Sequence, residues 1–247
     1  MAAAQKFVLY TNRFCPFAAR AVLALAETKH AYEAVSIDLN TPRPDWYLKD
    51  INPYGQVPAL KINDKDIVLE SLLVAEYLAD LHPEAGLFPT DPLQRAQTRY
   101  LIQHWGSHIQ PAQHKATFSQ EASDAIKRHQ DYITELEKVN KLLLNVHKTS
   151  EPGLDGKGPY FLGSRFTFAD LALASFLTRV SLVEVFQENF GFKFPSKEEN
   201  PNLARFIEWK DAVISRESVV NQLPSKEELI TLYEKNATYI KSKVNKD

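Results

Sequence analysis

The sequence predicts a small α/β domain followed by an all-α domain. Short apolar strand patterns alternate with helical patterns in the first third of the 247 residues, which is typical of an α/β unit. Residues 83–92 contain three prolines and a glycine, as expected for a connecting loop. Beyond this loop the strand patterns largely vanish. We therefore expect domains at residues 1–82 and 93–247, joined by a linker at 83–92.

The first domain is predicted to contain a mixed sheet. Its elements follow the order β-α-β and then β-β-α, and the turn Asp64–Asp66 closes a hairpin. Strands are expected at Lys6–Tyr10, Tyr32–Ile37, Val57–Ile62 and Ile67–Leu69, and helices at Pro16–Thr28 and from Ser71 to about Leu81.

The second domain is predicted to be a helical bundle. Its residues 186–195 are rich in aromatic side chains and are interpreted as either a lid or a core segment, and 241–247 as a frayed polar tail. Helices are expected at about Leu93–Phe118, Ser123–Lys148, Phe168–Phe186, Leu203–Ser215 and Lys226–Lys243.

One helix start in the second domain has a clear capping pattern. Thr167 and Asp170 occupy the N-cap and N3 positions of a capping box, with aspartate in place of the usual Glu or Gln. Phe166 and Leu171 fall at the two positions of a hydrophobic staple. This motif serves folding rather than catalysis.

Composition excludes several classes of function. The net charge of −2 gives no basic field for binding nucleic acid or a membrane surface. A single cysteine excludes an intrachain disulfide framework and a zinc site built on cysteines. No apolar run reaches the roughly 18 residues of a membrane-spanning helix, and the N-terminus lacks the apolar core of a signal peptide. A free thiol suits a reducing compartment, so we expect a cytoplasmic protein.

The only cysteine, Cys15, lies between a strand pattern and a helical pattern and is followed by Pro16. Proline favours the first position of a helix because its missing N–H would have no partner there. Cys15 is therefore predicted at the N-cap, where free N–H groups and the helix dipole stabilise a thiolate. This makes it a candidate nucleophile; the alternative is a buried structural cysteine. Because Ala18 takes the second position of a C-x-x-C motif, a reaction cycle needs an external thiol.

Two other segments have features of a ligand site. Pro58 begins a predicted strand and lacks a ladder donor, so a cis Val57–Pro58 bond would present the Val57 backbone to an extended ligand; the alternative is an ordinary trans bond. Glu70 and Ser71 begin a predicted helix, where a hydroxyl and free N–H groups bind anions and a carboxylate binds an ammonium. The pair could hold an amino-acid head group, or it is a simple N-cap with a solvated Glu70.

Together, Cys15, Val57–Pro58 and Glu70–Ser71 resemble the glutathione site of the glutathione transferase superfamily. The two halves of the chain resemble the thioredoxin-like and all-α domains of that superfamily, so the resemblance covers essentially the whole chain. Residues 9–18, 43–46 and 52–58 are similar to the omega class, which uses a cysteine where other classes use tyrosine or serine. The resemblance therefore implies the glutathione transferase fold.

The resemblance also implies an activity, that of a glutathione-dependent thioltransferase in which Cys15 forms a mixed disulfide with glutathione. Its reactions would include deglutathionylation and the reduction of dehydroascorbate or glutathionyl ketones. Glutathione is the implied co-substrate, no metal is implied, and the second substrate is a small electrophile or disulfide. The implied glutathione-binding residues are Phe17, Arg43, Val57, Pro58, Glu70 and Ser71.

Each of these residues has an implied role. Phe17 and Arg43 flank the glutathione. The Val57 backbone pairs with the cysteinyl main chain next to a cis proline. Glu70 and Ser71 hold the γ-glutamyl head group.

Two positions depart from the omega pattern. Arg43 stands where omega-like proteins have a lysine that contacts glutathione, and Ala19 stands where the family often has glutamate. Arginine keeps the charge but changes the geometry. The family further implies a homodimer and a hydrophobic substrate side in residues 93–247.

Two other functions remain open at the level of sequence. A hydroxyl such as that of Tyr10 or Thr11 could activate glutathione for conjugation, or the chain could be a non-catalytic binding protein on the same fold. His104 and His108 have the i, i+4 spacing of zinc ligands but lack the His-Glu-x-x-His arrangement. We therefore expect no metal.

Overall fold

The computed structural model describes the backbone of residues 5–244 and the side chains of residues 5–235. Residues 1–4, and residues 245–247 of the expected polar tail, lie outside the described residues. The strands are β1 (Phe7–Thr11), β2 (Glu33–Ser36), β3 (Ala59–Ile62) and β4 (Asp66–Leu69). The helices are α1 (Ala18–Thr28), α2 (Asp45–Asp50), α3 (Ser71–Leu81), α4 (Pro92–His104), α5 (Gln110–Thr117), α6 (Ala122–Leu144), α7 (Phe168–Leu177), α8 (Val180–Phe186), α9 (Ala204–Ile214), α10 (Glu217–Gln222) and α11 (Lys226–Val244).

The chain forms two compact units. One unit runs to Phe88 and includes Glu217–Pro224, and the other comprises Pro89–Arg216 and the chain from Ser225. The sequence pattern had grouped 217–224 with the helical half, but α10 packs against α1. No helix in the described part of the chain is long and apolar enough to cross a bilayer.

The first unit contains a mixed sheet of order β2-β1-β3-β4. β1 pairs parallel with β2 and antiparallel with β3, and β3 pairs antiparallel with β4. Alternate side chains of β1 point to opposite faces, and Val8 and Tyr10 pack with Tyr47 and Ile51 of the α2 region. α1 and α3 pack against each other. This arrangement brings the start of α1, the loop before β3 and the start of α3 together.

The second unit is all-helical, as predicted, but two of its helices differ from the sequence pattern. The run Leu93–Phe118 is interrupted by a π-helical turn at Trp105–Ile109. Pro111 follows within the same run, where it lacks the N–H that an α-helix needs. The run Phe168–Phe186 divides into α7 and α8 at Thr178–Arg179, where the Arg179 N–H bonds the carbonyl of Phe176, three residues back, at 3.1 Å.

Two side chains of the aromatic segment 186–195, Gln187 and Phe192, pack in the core of the second unit, while its polar residues between and after them are exposed. Gln187 is buried and donates to the Thr117 carbonyl at 2.7 Å. Phe192 is also buried, and its ring centroid lies 4.3 Å from that of His129. Of the two interpretations left open by the sequence, these contacts favour a core segment.

Candidate functional site

A cleft of about 420 Å³ opens in the first unit. Its walls come from the loop before α1, the segment before α2, the loop before β3 and the start of α3. It brings together all seven residues that the sequence and the resemblance single out: Cys15, Phe17, Arg43, Val57, Pro58, Glu70 and Ser71.

A turn between β1 and α1 places Cys15 at the cleft. The Cys15 N–H donates to the Asn12 carbonyl at 3.1 Å, and the Asn12 side chain accepts from the Phe14 N–H and donates to the Ile37 carbonyl. Because Asn12 ties the turn to the chain beyond β2, the position of Cys15 is fixed by the sheet.

The prediction that Cys15 is the N-cap residue was wrong. α1 begins at Ala18, and Phe17 occupies the N-cap position. The Cys15 carbonyl still accepts a hydrogen bond from the Ala19 N–H at 3.1 Å. A single hydrogen bond of the α-helical i to i+4 type therefore precedes the regular helix. The thiol therefore lies one turn ahead of α1.

The Cys15 thiol is half-buried between a carbonyl and an apolar cluster. Its Sγ lies 4.0 Å from the carbonyl oxygen of Val57, across the cleft. The side chain packs against the cluster that includes Val8, Tyr10 and Ala18. Cys15 is thus both partly packed and accessible from the cleft.

Arg20, in the first turn of α1, links Cys15 to the start of α3. Its side chain is buried, and Nη1 donates to the Ser71 hydroxyl at 3.0 Å. Its guanidinium lies 5.4 Å from the centroid of the Phe17 ring. Burial lowers the pKa of Arg20 to about 10, and the nearby Cys15 acts in the opposite direction. Arg20 therefore remains a cation at neutral pH, and its hydrogen bond to Ser71 lies at the start of α3.

The strand-to-helix junction at Glu70 and Ser71 presents complementary polar groups. Glu70 is exposed with a φ of 69°, and Ser71 is buried at the first position of α3. Arginine can only donate hydrogen bonds, so the Ser71 oxygen accepts from Arg20 and its own hydrogen is available to a ligand. The junction therefore offers a donor for a carboxylate and a carboxylate for an ammonium.

The Val57–Pro58 peptide bond is cis. Val57 is buried, yet within the described part of the chain its N–H has no hydrogen-bond acceptor. A buried amide without a partner is unusual in a native protein. Val57 lines the same cleft as Cys15, and an amide without a partner there suits pairing with the main chain of a peptide ligand.

Side chains that the sequence pattern did not single out hold the loop before β3. The Tyr47 hydroxyl donates to the Gln56 carbonyl at 2.7 Å, and the Asn52 amide donates to the same oxygen at 2.9 Å. Burial raises the pKa of Tyr47 to about 12, so the hydroxyl remains a donor. The signal for this arrangement was Pro44–Asp45, a proline and an acidic residue that begin α2.

Tyr10, His104 at the end of α4 and His108 in the π-helical turn do not line this cleft. The Tyr10 ring packs 5.6 Å from that of Tyr47 and does not line the cleft. Burial raises its pKa, so the hydroxyl stays protonated within this packing. His104 packs between Tyr100 and His108, and burial lowers its pKa. Among the residues that the structure describes, no group of three or more His, Cys, Asp or Glu could hold a metal ion.

The capping box in the second unit is confirmed. The Asp170 carboxylate accepts from the N–H of Thr167 at 2.7 Å, and the Thr167 hydroxyl oxygen accepts from the N–H of Asp170. The carboxylate also accepts from the Phe161 N–H, the Thr167 hydroxyl and the Trp209 indole. Burial raises the pKa of Asp170, and these hydrogen bonds oppose that effect.

Comparison with known proteins identifies the family. Residues 9–86 match the family model described as "Glutathione S-transferase, N-terminal domain", and residues 121–208 match "Glutathione S-transferase, C-terminal domain". The probable glutathione transferase omega-2 of Caenorhabditis briggsae is 30% identical over 206 residues, which cover 81% of this chain and 74% of that protein.

Two further similarities support the same family. Glutathione S-transferase omega-2 of Mus musculus is 39% identical over 95 residues, and the chain spans only 38% of the length of that relative. Glutathione transferase Omega 3C from Trametes versicolor has 27% sequence identity to this chain. Its crystal structure superposes with a TM-score of 0.74, and the superposition covers 93% of this chain and 89% of that one. The chain thus belongs to the glutathione transferase family and resembles its omega class.

Proposed function

We propose that this protein is a glutathione-dependent thioltransferase that acts through a mixed disulfide between Cys15 and glutathione. The observation that carries the proposal is the position of the only cysteine. Its Sγ lies 4.0 Å from the Val57 carbonyl, in the cleft that Glu70 and Ser71 also line. Glutathione has a thiol, a peptide main chain and an amino-acid head group. These match, in turn, Cys15, the Val57 backbone, and the Glu70–Ser71 pair.

Binding aligns the glutathione sulfur with Cys15. The γ-glutamyl carboxylate accepts from Ser71, and its ammonium lies against the Glu70 carboxylate. The cysteinyl main chain pairs with the Val57 N–H, which has no partner within the described chain. Phe17 forms an apolar wall beside this ligand, and Val57 and Pro58 line the cleft on the side of the cysteinyl main chain.

The reaction is thiol–disulfide exchange in two balanced steps. The Cys15 thiolate attacks the glutathionyl sulfur of a mixed disulfide, forming an S–S bond to glutathione and releasing the other half as a thiolate. A second glutathione thiolate attacks the Cys15 disulfide, releasing glutathione disulfide and restoring the Cys15 thiolate. No second cysteine exists in the chain, so glutathione must supply the resolving thiol.

The first experiment is glutathione-dependent reduction of hydroxyethyl disulfide by the wild type, Cys15→Ala and Cys15→Ser. We expect activity in the wild type and a loss of roughly a hundredfold or more in both variants, because the nucleophile is removed. Glutathione affinity, measured by calorimetry, is the control and should be retained in Cys15→Ser.

Two outcomes would contradict the proposal. Conjugation of chlorodinitrobenzene that survives Cys15→Ser, without any disulfide reduction, would indicate a hydroxyl-based conjugating transferase. Absence of glutathione binding at millimolar concentration would indicate a binding protein on the same fold. The physiological second substrate, a cytoplasmic location and the homodimer that the family implies belong to the same proposal, and sedimentation tests the last of these.

A further inference from the structure

Arg43 lines the cleft, but its guanidinium faces the protein backbone. Nε donates to the Gly55 carbonyl at 2.9 Å, and Nη1 donates to the carbonyls of Asp38 and Thr41, each at 2.6 Å. Nη2 lies 3.3 Å from the Leu39 carbonyl. Four of the five N–H donors of an arginine are therefore engaged by main-chain oxygens.

These four bonds join two separate segments of the cleft wall. One segment, residues 38–41, follows β2, and the other contains Gly55 in the loop before β3. The planar fork of a guanidinium can donate in several directions at once, with Nε facing one segment and the terminal nitrogens facing the other. Arg43 thus cross-links residues 38–41 to Gly55 by hydrogen bonds, an arrangement that we call the bracket.

The contact between the bracket and the loop is close. Gly55 has a φ of 65°, and a Cβ added there would lie 2.9 Å from Cγ of Arg43 and 3.2 Å from a methyl group of Leu48. Only glycine combines this backbone conformation with this approach. The Arg43 stem therefore packs directly on the loop backbone.

The loop held by Arg43 leads directly to the Val57 amide. Gly55 is fixed by Arg43, and the next carbonyl, that of Gln56, is fixed by Tyr47 and Asn52. Val57 follows with its N–H unpartnered in the described chain. A shift of Gly55 would move the Val57 amide relative to Cys15.

We propose that Arg43 is a positioning residue, which holds the 55–57 loop so that the Val57 amide meets the glutathione main chain, rather than a charge that contacts glutathione. This inference rests on the proposed glutathione site. It assigns to arginine a role that a lysine cannot fill, since an ammonium is a single point with three donors and cannot span both segments.

The test compares Arg43→Lys, Arg43→Met and Gly55→Ala, each in a Cys15→Ser background, by calorimetric titration with glutathione. We expect all three to weaken glutathione binding, by roughly tenfold for both arginine variants, because the loop must then be ordered on binding. Lys49→Met, which removes an exposed positive charge from α2, is the matched control and should bind as the parent does.

Three readouts separate positioning from direct contact. In the Cys15-containing protein, the rate of Cys15 alkylation by iodoacetamide without glutathione should stay unchanged in Arg43→Lys. The KM for glutathione should rise while kcat at saturating glutathione stays within about twofold. The loss of affinity should be the same at low and high salt, whereas a charge contact would weaken with salt.

Full affinity in Arg43→Lys together with a loss in Arg43→Met, or a loss that disappears at high salt, would overturn the proposal in favour of a charge contact. Unchanged affinity in all three variants would show that the bracket does not position the site. If Arg43→Met fails to fold, Arg43→Lys and Gly55→Ala decide the question. Because binding is measured without turnover, failure of the thioltransferase function would leave this test intact.

Discussion

Arg20 in the first unit and Asp170 in the second are both charged, buried and in the first turn of a helix, yet their surroundings differ. Asp170 accepts from Thr167, Phe161 and Trp209, so its partners are all interior groups. Arg20 donates to Ser71, whose hydroxyl lines the cleft. A network that ends inside the protein stabilises the fold, whereas one that ends at a cleft prepares a group for a ligand.

The largest effect is expected on removing the charge of the interior network. Asp170→Ala leaves the Trp209 indole and the N–H groups of Phe161 and Thr167 without their acceptor. We expect a loss of about 3 kcal/mol or more in the free energy of unfolding, because each buried donor loses its partner. Urea denaturation measures this, and Asp131→Ala, which removes an exposed carboxylate from α6, is the control. Equal urea midpoints for Asp170→Ala and Asp131→Ala would contradict the expected loss of stability.

A smaller effect, on binding, is expected at the cleft end of the Arg20 network. Ser71→Ala removes the hydroxyl that Arg20 orients, and we expect glutathione affinity to fall roughly tenfold because a hydrogen bond to a carboxylate is lost. Ser71→Thr keeps the hydroxyl and should restore most of the affinity. Titration calorimetry measures both. An affinity that is the same in all three proteins would remove Ser71 from the site.

The smallest effect is expected at the edge of the interior network. Thr167→Ala removes one capping hydroxyl while Asp170 keeps its bonds to Phe161 and Trp209. The free energy of unfolding should fall by about 0.5–2 kcal/mol, the usual range for an N-cap substitution. Thermal melting of Thr167→Ala beside Thr167→Ser, which retains the hydroxyl, checks this. An unchanged melting temperature in Thr167→Ala would show that Asp170 alone maintains the helix start.

The parts of the fold that follow a periodic pattern could be predicted from the sequence. The four strands lie within two residues of their predicted positions, and α3 spans Ser71–Leu81 as expected. α2 and α10 have six residues each, too few to show helical periodicity in the sequence. Tyr47 of α2 packs with residues of β1, and α10 packs against α1, and neither contact is visible in the sequence pattern. The break between α7 and α8 falls within one continuous apolar pattern, so local pattern does not reveal it.

The candidate site shows the same limit. Cys15, Val57–Pro58 and Glu70–Ser71 were found because each carries a local chemical signal, and the cleft brings them together. The roles of Arg20 and Arg43 depend on partners 51 and 12 residues away along the chain. Only the folded backbone shows which oxygen a guanidinium reaches, so the sequence indicated the charges but not their partners.

The backbone conformation of Glu70 affects both stability and ligand binding. Glu70 has a φ of 69°, and positive φ values of 51° and 60° occur at Asn63 and Asp64 of the β3–β4 turn. Asparagine and aspartate adopt this region more readily than glutamate, for which the strain is on the order of 1 kcal/mol. Glycine would relieve this strain and remove the carboxylate from the cleft. Thermostability and the proposed recognition of the amino-acid head group therefore make opposite demands at this residue, so a substitution that raises stability here should lower selectivity for that head group.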